Sequence, residues 1–279
     1  MNGKIRAYAI HSTELINELQ RRHHTWPTAS AALGRAATAG AMIGAMLKGN
    51  EKLTIQIKGN GPIGQILIDA NGMGQVRGYV SNPKVHLPLN EQGKLDVAGA
   101  VGEGTIYVIK DLGLKESYRG STPIISGELG EDFTYYFTHS EQTPSAVALG
   151  VLVNPDHSIQ ASGGFIIQIL PGISDQEIKD LEKTIEEIQS VSALINQGLT
   201  PEEILTKIFK NDLKILDKMD IQFKCNCSKE RIESVLIQLG KEEIEDMIEK
   251  EGEAEIICQF CNTKYHFDQT ELRELLLKL

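Results

Sequence analysis

Residues 225–261 read CNCSKERIESVLIQLGKEEIEDMIEKEGEAEIICQFC, and they contain all four cysteines of the 279-residue chain. Cys225 and Cys227 form a C-x-C pair, Cys258 and Cys261 form a C-x-x-C pair, and a helix-sized insert separates the two. Such an arrangement can set four thiolates around one Zn²⁺, which takes four soft ligands at about 2.3 Å in a tetrahedron. The same sulfurs can also oxidise. Within each pair the thiols are neighbours in sequence, so loss of the metal would leave two reactive dithiols able to close without long-range chain movement. Two readings follow: a structural zinc site that stabilises a small domain, and a redox switch. Structural ribbons usually use C-x-x-C twice, because two spacers let both sulfurs turn onto one metal. The single spacer between Cys225 and Cys227 makes a tighter chelate, and its disulfide would close a small ring that is readily reduced again. That favours the switch.

Working outward, Ser228 can cap a helix over KERIESVLIQL, Gly240 closes it, and KEEIEDMIEK forms a second, acidic helix before a turn at Gly252. In AEIICQFCNTKYHF, Ile256 and Ile257 lead into the Cys258–Cys261 knuckle, and Tyr265 and Phe267 continue a return strand. A thioredoxin-type C-x-x-C sits instead at a helix start, where the dipole lowers the thiol pKa, so a catalytic dithiol of that kind is disfavoured. Asp268 and Glu271 open a final helix bearing Leu272, Leu275, Leu276 and Leu279. His266 is a fifth candidate ligand, but four thiolates already satisfy zinc and leave it an outer or surface role.

Upstream, the pattern from Ile173 is helical. Ser174 and Glu177 form a capping box ahead of Ile178, Leu181, Ile185, Ile188, Leu194 and Ile195, which read as one helix ended by Gly198. Thr200, Pro201 and Glu203 start another, with Ile204, Leu205, Ile208 and Phe209 on its apolar face. These charged, narrowly striped helices suit a connector that docks conditionally. Earlier still, AALGRAATAGAMIGAMLKG is nearly all small or apolar and contains Gly40-x-x-x-Gly44. Arg35 and Lys48 interrupt it, so a buried helix packed closely on a sheet is expected rather than a membrane span. Alternating patterns then predict strands at Leu53, Ile55 and Ile57, at Ile66 and Ile68, at Val76 and Tyr79, and over TIYVIK (105–110), FTYYFT (133–138) and GFIIQIL (164–170). SAVALGVLV (145–153) fits either a strand or a buried helix.

Gly59, Gly61 and Gly64 match G-x-G-x-x-G, but Pro62 intervenes and QILIDA continues as a strand, so no helix opens to receive a pyrophosphate. The sequence shows no G-x-S-x-G elbow, H-E-x-x-H or Walker loop, and His23 and His24 follow two arginines near a helix end, where a dipole or surface role is expected. No catalytic constellation is expected, and no enzyme. Charge is uneven: residues 1–171 carry 14 Lys and Arg against 14 Asp and Glu, leaving 14 against 24 of the totals of 28 and 38 for the remainder. A zinc domain this acidic would repel phosphates, which argues against nucleic acid as a partner. The N-terminus lacks a signal-peptide pattern, so a cytosolic protein is expected, where any disulfide would be transient.

The stretch FKCNCSKERIESVLIQLGKEEIEDMIEKEGEAEIICQFCNTKYHF resembles the zinc domain of the heat shock protein 33 family of redox-regulated chaperones. ALGRAATAGAMIGAMLKG and LTIQIKGNGPIGQILIDANGMGQVRGYV resemble that family's core domain in the same order, so the similarity spans essentially the whole chain. The resemblance implies an ATP-independent holdase, inactive when reduced with one Zn²⁺ on Cys225, Cys227, Cys258 and Cys261, and active when oxidised. It also implies disulfides pairing Cys225 with Cys227 and Cys258 with Cys261, unfolding client proteins as partners, and a homodimer on activation. The expected fold is α+β: a sheet-rich core at 1–171, a helical connector at 172–220 and a zinc-binding redox-switch domain at 221–279. Competing readings are a thiol-disulfide oxidoreductase and an adaptor with a structural zinc site.

Overall fold

Pro27 occupies the first turn of an 18-residue helix, where its missing N–H is no loss, and fourteen of the residues that follow are Ala, Gly, Ser, Thr or Leu. In a computed structural model describing residues 3–188 and 190–279, this helix is buried almost throughout and lies between two sheets. Its small residues set the distance of approach. A Cβ on Gly40 would sit 2.7 Å from Ile68 Cγ2, one on Gly44 3.0 Å from Ala70 Cβ, and one on Gly34 2.9 Å from Ile16 Cγ2 and from Val151 Cγ2. The glycine spacing therefore serves helix-on-sheet packing, as its interruption by Arg35 suggests; Arg35 itself reaches Glu128, Nη1 to Oε2 2.5 Å.

The chain divides into two compact units, Met1–Phe223 and Lys224–Leu279. In the first, the strands in chain order are β1 (Ile5–His11), β2 (Lys52–Gly59), β3 (Gln65–Asn71), β4 (Gln75–Val80), β5 (Gly104–Asp111), β6 (Tyr118–Pro123), β7 (Ser145–Val153), β8 (Ile159–Ile169) and β9 (Gln222–Phe223). A six-stranded sheet runs β6-β5-β2-β3-β4-β9, antiparallel except for the short parallel β4–β9 pair. Alternation buries Leu53, Ile55, Ile57, Ile66, Ile68, Val76, Ile106 and Val108 on one face, while Thr54, Asp69 and Arg77 form a hydrogen-bonded row on the other. Tyr79 is on this second face, opposite to Val76. Gly59 ends β2, Gly61 and Gly64 lie in the β2–β3 connection, and the chain continues into strand β3 rather than a helix.

The second sheet, β1-β8-β7, is antiparallel and buried on both faces. This is why 145–153 carries no clean period: both neighbours of the strand are apolar, and alternation disappears. The central helix covers one face. The other is covered by helices α5 (Asp175–Glu186), α6 (Val191–Asn196) and α7 (Pro201–Phe209), numbered after α1 (Thr13–His23), the central α2 (Pro27–Gly44), α3 (Val97–Val101) and α4 (Gly130–His139). Leu181, Val191, Leu194, Ile195, Ile204, Ile208 and Phe209 pack with Ala161, Phe165 and Ile167. The capping boxes form as read, Glu177 N–H to Ser174 Oγ at 3.3 Å and Glu203 N–H to Thr200 Oγ1 at 3.3 Å.

Two expectations fail. FTYYFT is helix α4, not a strand. Its aromatics favour strands by propensity, but the fully buried Asp132 carboxylate accepts the N–H groups of Ile125 at 2.8 Å, Ser126 at 2.9 Å and Leu129 at 2.8 Å and so organises a helix start. Phe133, Tyr136 and Phe137 then share one buried helical face. The segment from Ile178 to Ile195 is also two helices rather than one, α5 ending at Glu186 and α6 beginning at Val191. His24 closes α1 in the left-handed conformation, φ 50°, and His23 is buried rather than on the surface.

In the second unit, α8 (Lys229–Leu239), α9 (Lys241–Lys250) and α10 (Gln269–Leu276) pack around a hairpin of β10 (Glu253–Ile257) and β11 (Lys264–Asp268). Leu236, Ile244, Ala254, Phe267, Leu272 and Leu275 are its buried apolar residues. Ser228 caps α8 and Asp268 with Glu271 caps α10, both as read.

Candidate metal centre

The cysteine pairs lie at opposite ends of the α8–α9 insert, and the β10–β11 hairpin brings them together. Its tip is the second knuckle. Cys258 N–H donates to Thr263 O at 3.0 Å and Asn262 N–H to Cys258 O at 2.8 Å, with Asn262 at φ 54°, so the backbone turns tightly around Cys258 and Cys261. The first knuckle precedes α8, and Arg231 from that helix donates to Asn226 O at 3.0 Å, fixing the residue between Cys225 and Cys227.

All four sulfurs lie within 4.8 Å of one another. Cys225 Sγ is 3.8 Å from Cys258 Sγ, and Cys227 Sγ is 3.2 Å from Cys261 Sγ. Bonds of about 2.3 Å from a tetrahedral ion place its sulfurs roughly 3.8 Å apart. The donor set and its spacing therefore fit a soft tetrahedral ion, and these four residues can bind a metal. His266 is not part of the group: it is exposed, and its Nε2 lies 2.8 Å from a Glu253 carboxylate oxygen across the hairpin.

Two hydroxyls reach the sulfurs, and sequence reasoning assigned neither a role there. Tyr265 Oη donates to Cys227 Sγ at 3.0 Å, and Thr263 Oγ1 lies 3.2 Å from Cys261 Sγ. The alternation of β11 was the available signal: Tyr265 and Phe267 share a face, one toward the sulfurs and one into the small core, while Lys264 and His266 point to solvent. As metal-free thiols Cys227, Cys258 and Cys261 are unequal. Burial pushes Cys258 up to about 12, against the Phe260 backbone hydrogen bond, and burial likewise raises Cys227 despite the Tyr265 hydroxyl. At Cys261 burial acts upward too, but hydrogen bonds from Thr263 and the neighbouring thiols prevail and bring it to about 7. The hydrogen bond to Cys227 raises the Tyr265 hydroxyl above its ordinary value.

No second cluster of three or more His, Cys, Asp or Glu side chains placed to hold a metal ion is found among the described residues. None of the described helices is long and apolar enough to cross a membrane. Fold and site together define an α+β protein in which a large sheet-and-helix unit is joined to a small unit that gathers four thiols able to bind a metal. The family model described as "Hsp33 protein" matches residues 1–268. The 33 kDa chaperonin of Bacillus pumilus (strain SAFR-032) is 59% identical over 275 residues, covering 98% of this chain and 94% of that protein. That of Staphylococcus aureus (strain Newman) is 57% identical over 280 residues, covering 100% and 96%. The crystal structure of the Thermotoga maritima 33 kDa chaperonin (heat shock protein 33 homolog) superposes with a TM-score of 0.95 at 40% identity, covering 100% of this chain and 95% of that one. The chain belongs to the Hsp33 family, a family of chaperones rather than enzymes.

Proposed function

We propose that this chain is a redox-regulated, ATP-independent holdase of the cytosol, held inactive by one Zn²⁺ on Cys225, Cys227, Cys258 and Cys261. The observation that carries the reading is the gathering of all four sulfurs to within 4.8 Å in a unit with only six buried apolar residues. Zinc, when bound, offsets part of the charge of the four thiolates and supplies a small domain with folding free energy on the order of 10 kcal/mol. Oxidation of the sulfurs to disulfides removes the ligand charges, and residues 224–279 lose their principal source of order.

The effect passes upstream through the chain. Phe223 lies two residues before Cys225 and ends β9, whose hold on β4 consists of two residue pairs, Gln75 with Gln222 and Val76 with Phe223. Between α7 and β9 a short 3₁₀ turn, Lys210–Asp212, is followed by a stretch without regular secondary structure, with Ile215, Leu216 and Met219 already exposed. Further back, α5 to α7 mask a wholly apolar sheet face. With residues 1–171 as client-binding core, 172–220 as connector and 221–279 as switch, release of the connector exposes that face to unfolding clients. An apolar area of this kind is a liability on a resting protein, which is a reason to keep it covered. Peroxide or hypochlorous acid, aided by heat, is the expected oxidant, and the active form is a homodimer.

The sulfur distances do not select the disulfide pairing, since the approaches at 3.8 and 3.2 Å run between the C-x-C and C-x-x-C motifs. The pairing of Cys225 with Cys227 and of Cys258 with Cys261 is supported by the resemblance to the family, and non-reducing peptide maps of the oxidised protein decide it. The function itself is tested by suppression of aggregation of a thermally unfolding client, using reduced zinc protein and peroxide-treated protein, with released zinc read by a chromogenic chelator. Protection that accompanies oxidation and zinc release supports the switch. Equal behaviour in both states would return the protein to a structural zinc site.

A further inference from the structure

We propose that Tyr265 is a positioning residue for the metal centre: its hydroxyl, by donating to Cys227 Sγ, holds that sulfur on the metal and slows its attack on oxidants. The inference rests on the reading that the four sulfurs hold Zn²⁺, and that reading fails separately if the wild-type chain binds no metal.

The geometry is local and specific. Tyr265 pairs with Ile256 in the β10–β11 hairpin, and strand alternation puts its ring on the same face as the buried Phe267. The ring packs against the small apolar core and the hydroxyl extends beyond it to Cys227 at 3.0 Å. The strand thus delivers one donor to a residue of the opposite knuckle, 38 positions away in sequence. Thr263, near Cys261, is only two residues from its sulfur and spans no such distance.

A metal-bound thiolate carries excess negative charge, and a hydroxyl hydrogen bond draws on the same lone-pair density that an oxidant would take. Attack on hydrogen peroxide proceeds by sulfur displacing hydroxide: the S–O bond forms, the O–O bond breaks, and Cys227 becomes a sulfenic acid. The Cys225 thiolate then attacks that sulfur and expels a second hydroxide, and both hydroxides leave to solvent, where buffer acid protonates them to water. Two electrons leave the sulfur pair and reduce one peroxide. With the hydroxyl in place the first displacement must break or stretch the O–H···S bond. Outer partners of metal ligands also fix ligand orientation, and losing one typically costs about 10–100-fold in metal affinity.

Tyr265→Phe removes the hydroxyl and keeps the ring. Expected results are a roughly tenfold loss of zinc affinity in chelator competition and faster modification of Cys227 by stoichiometric peroxide, read by differential alkylation and mass spectrometry. In the cobalt-substituted protein the thiolate-to-metal absorption should move to lower energy, a signature that looser folding alone does not give. Thr263→Val is the companion variant and should alter Cys261 instead. Zinc affinity and Cys227 modification both within twofold of wild type would overturn the proposal. So would acceleration shared equally by Cys258 and Cys261, which would mean general loosening of the hairpin.

Discussion

The two units are held together by different physics. In Met1–Phe223 the central helix is buried almost end to end between two sheets, and one large apolar cluster gathers buried residues spread in sequence from Ile10 to Ile166. In Lys224–Leu279 six apolar side chains make the core, several helical faces remain wet, and four thiols stand where further core would be. A core that small is marginal by burial alone, and chains of this size are usually stapled by metals or disulfides. Burial responds to temperature and denaturant, whereas a metal–thiolate centre responds to oxidants. The part of the molecule that depends on sulfur chemistry is therefore the part suited to sensing it.

The largest expected effect breaks the comparison directly. Stripping the reduced protein of metal with a chelator should remove amide protection from α8, α9 and α10, since about 10 kcal/mol of folding free energy is at stake. Protection in β2 and β3 should be unchanged. Hydrogen exchange by mass spectrometry reads both at once, and persistent protection of residues 229–250 without metal would show that six apolar side chains suffice after all. Next in size is Cys258→Ser. It leaves three thiolates and should weaken zinc binding by more than the roughly 100-fold that an outer partner is worth, giving partial chaperone activity without oxidant. Full zinc retention with ordinary regulation would remove the basis for the switch.

A third change separates the masking helices from the metal. Gly150 of β7 faces Gly163 of β8 across the sheet, and α6 sits directly on the pair. A Cβ on Gly150 would lie 2.7 Å from Ser192 N and 2.8 Å from Ser192 Cβ, so Gly150→Ala should push α6 outward at a cost of about 1–3 kcal/mol. The expected outcome is raised aggregation suppression by the reduced protein with its zinc still bound. If activity stays at the resting level while the melting temperature falls, the face beneath α6 is not where clients bind.

These comparisons also show where sequence sufficed. The caps at Ser174, Thr200, Ser228 and Asp268 depend on residues a few positions apart and form as read, and the four sulfurs of the two cysteine motifs come within 4.8 Å of one another. Helix α4 was hidden because its aromatics look strand-like and its organiser, Asp132, works by accepting N–H groups from a loop that periodicity does not describe. The strand at 145–153 was ambiguous because both of its faces are covered, which depends on where α6 packs. Tyr265 was legible as a strand residue, while its reach to Cys227 needed the hairpin register. Failures thus fall where a side chain's role is set outside the periodic segment that carries it, by an adjacent loop at Asp132 and by elements distant in sequence at 145–153 and Tyr265.

The smallest change tests whether the masking helices are only just stable, as a conditional cover must be. α7 begins at Thr200, whose Oγ1 accepts the Glu203 N–H while the Glu203 carboxylate accepts the Thr200 N–H at 2.8 Å. The helix contributes Ile204, Ile208 and Phe209 to the cover and little else. Thr200→Ala should cost about 1 kcal/mol, a small fraction of what holds the central helix in place. In the large core such a loss would be silent at ordinary temperature. In a cover whose ordering cost nearly balances its burial, the same loss should shift the population of the open form by about fivefold. The readout is the temperature at which peroxide-treated protein begins to protect a client, which should fall. The equivalent cap change Ser228→Ala, in a unit that oxidation has already unfolded, should leave that onset unmoved. If both variants behave alike, the connector is no more conditional than the rest of the chain.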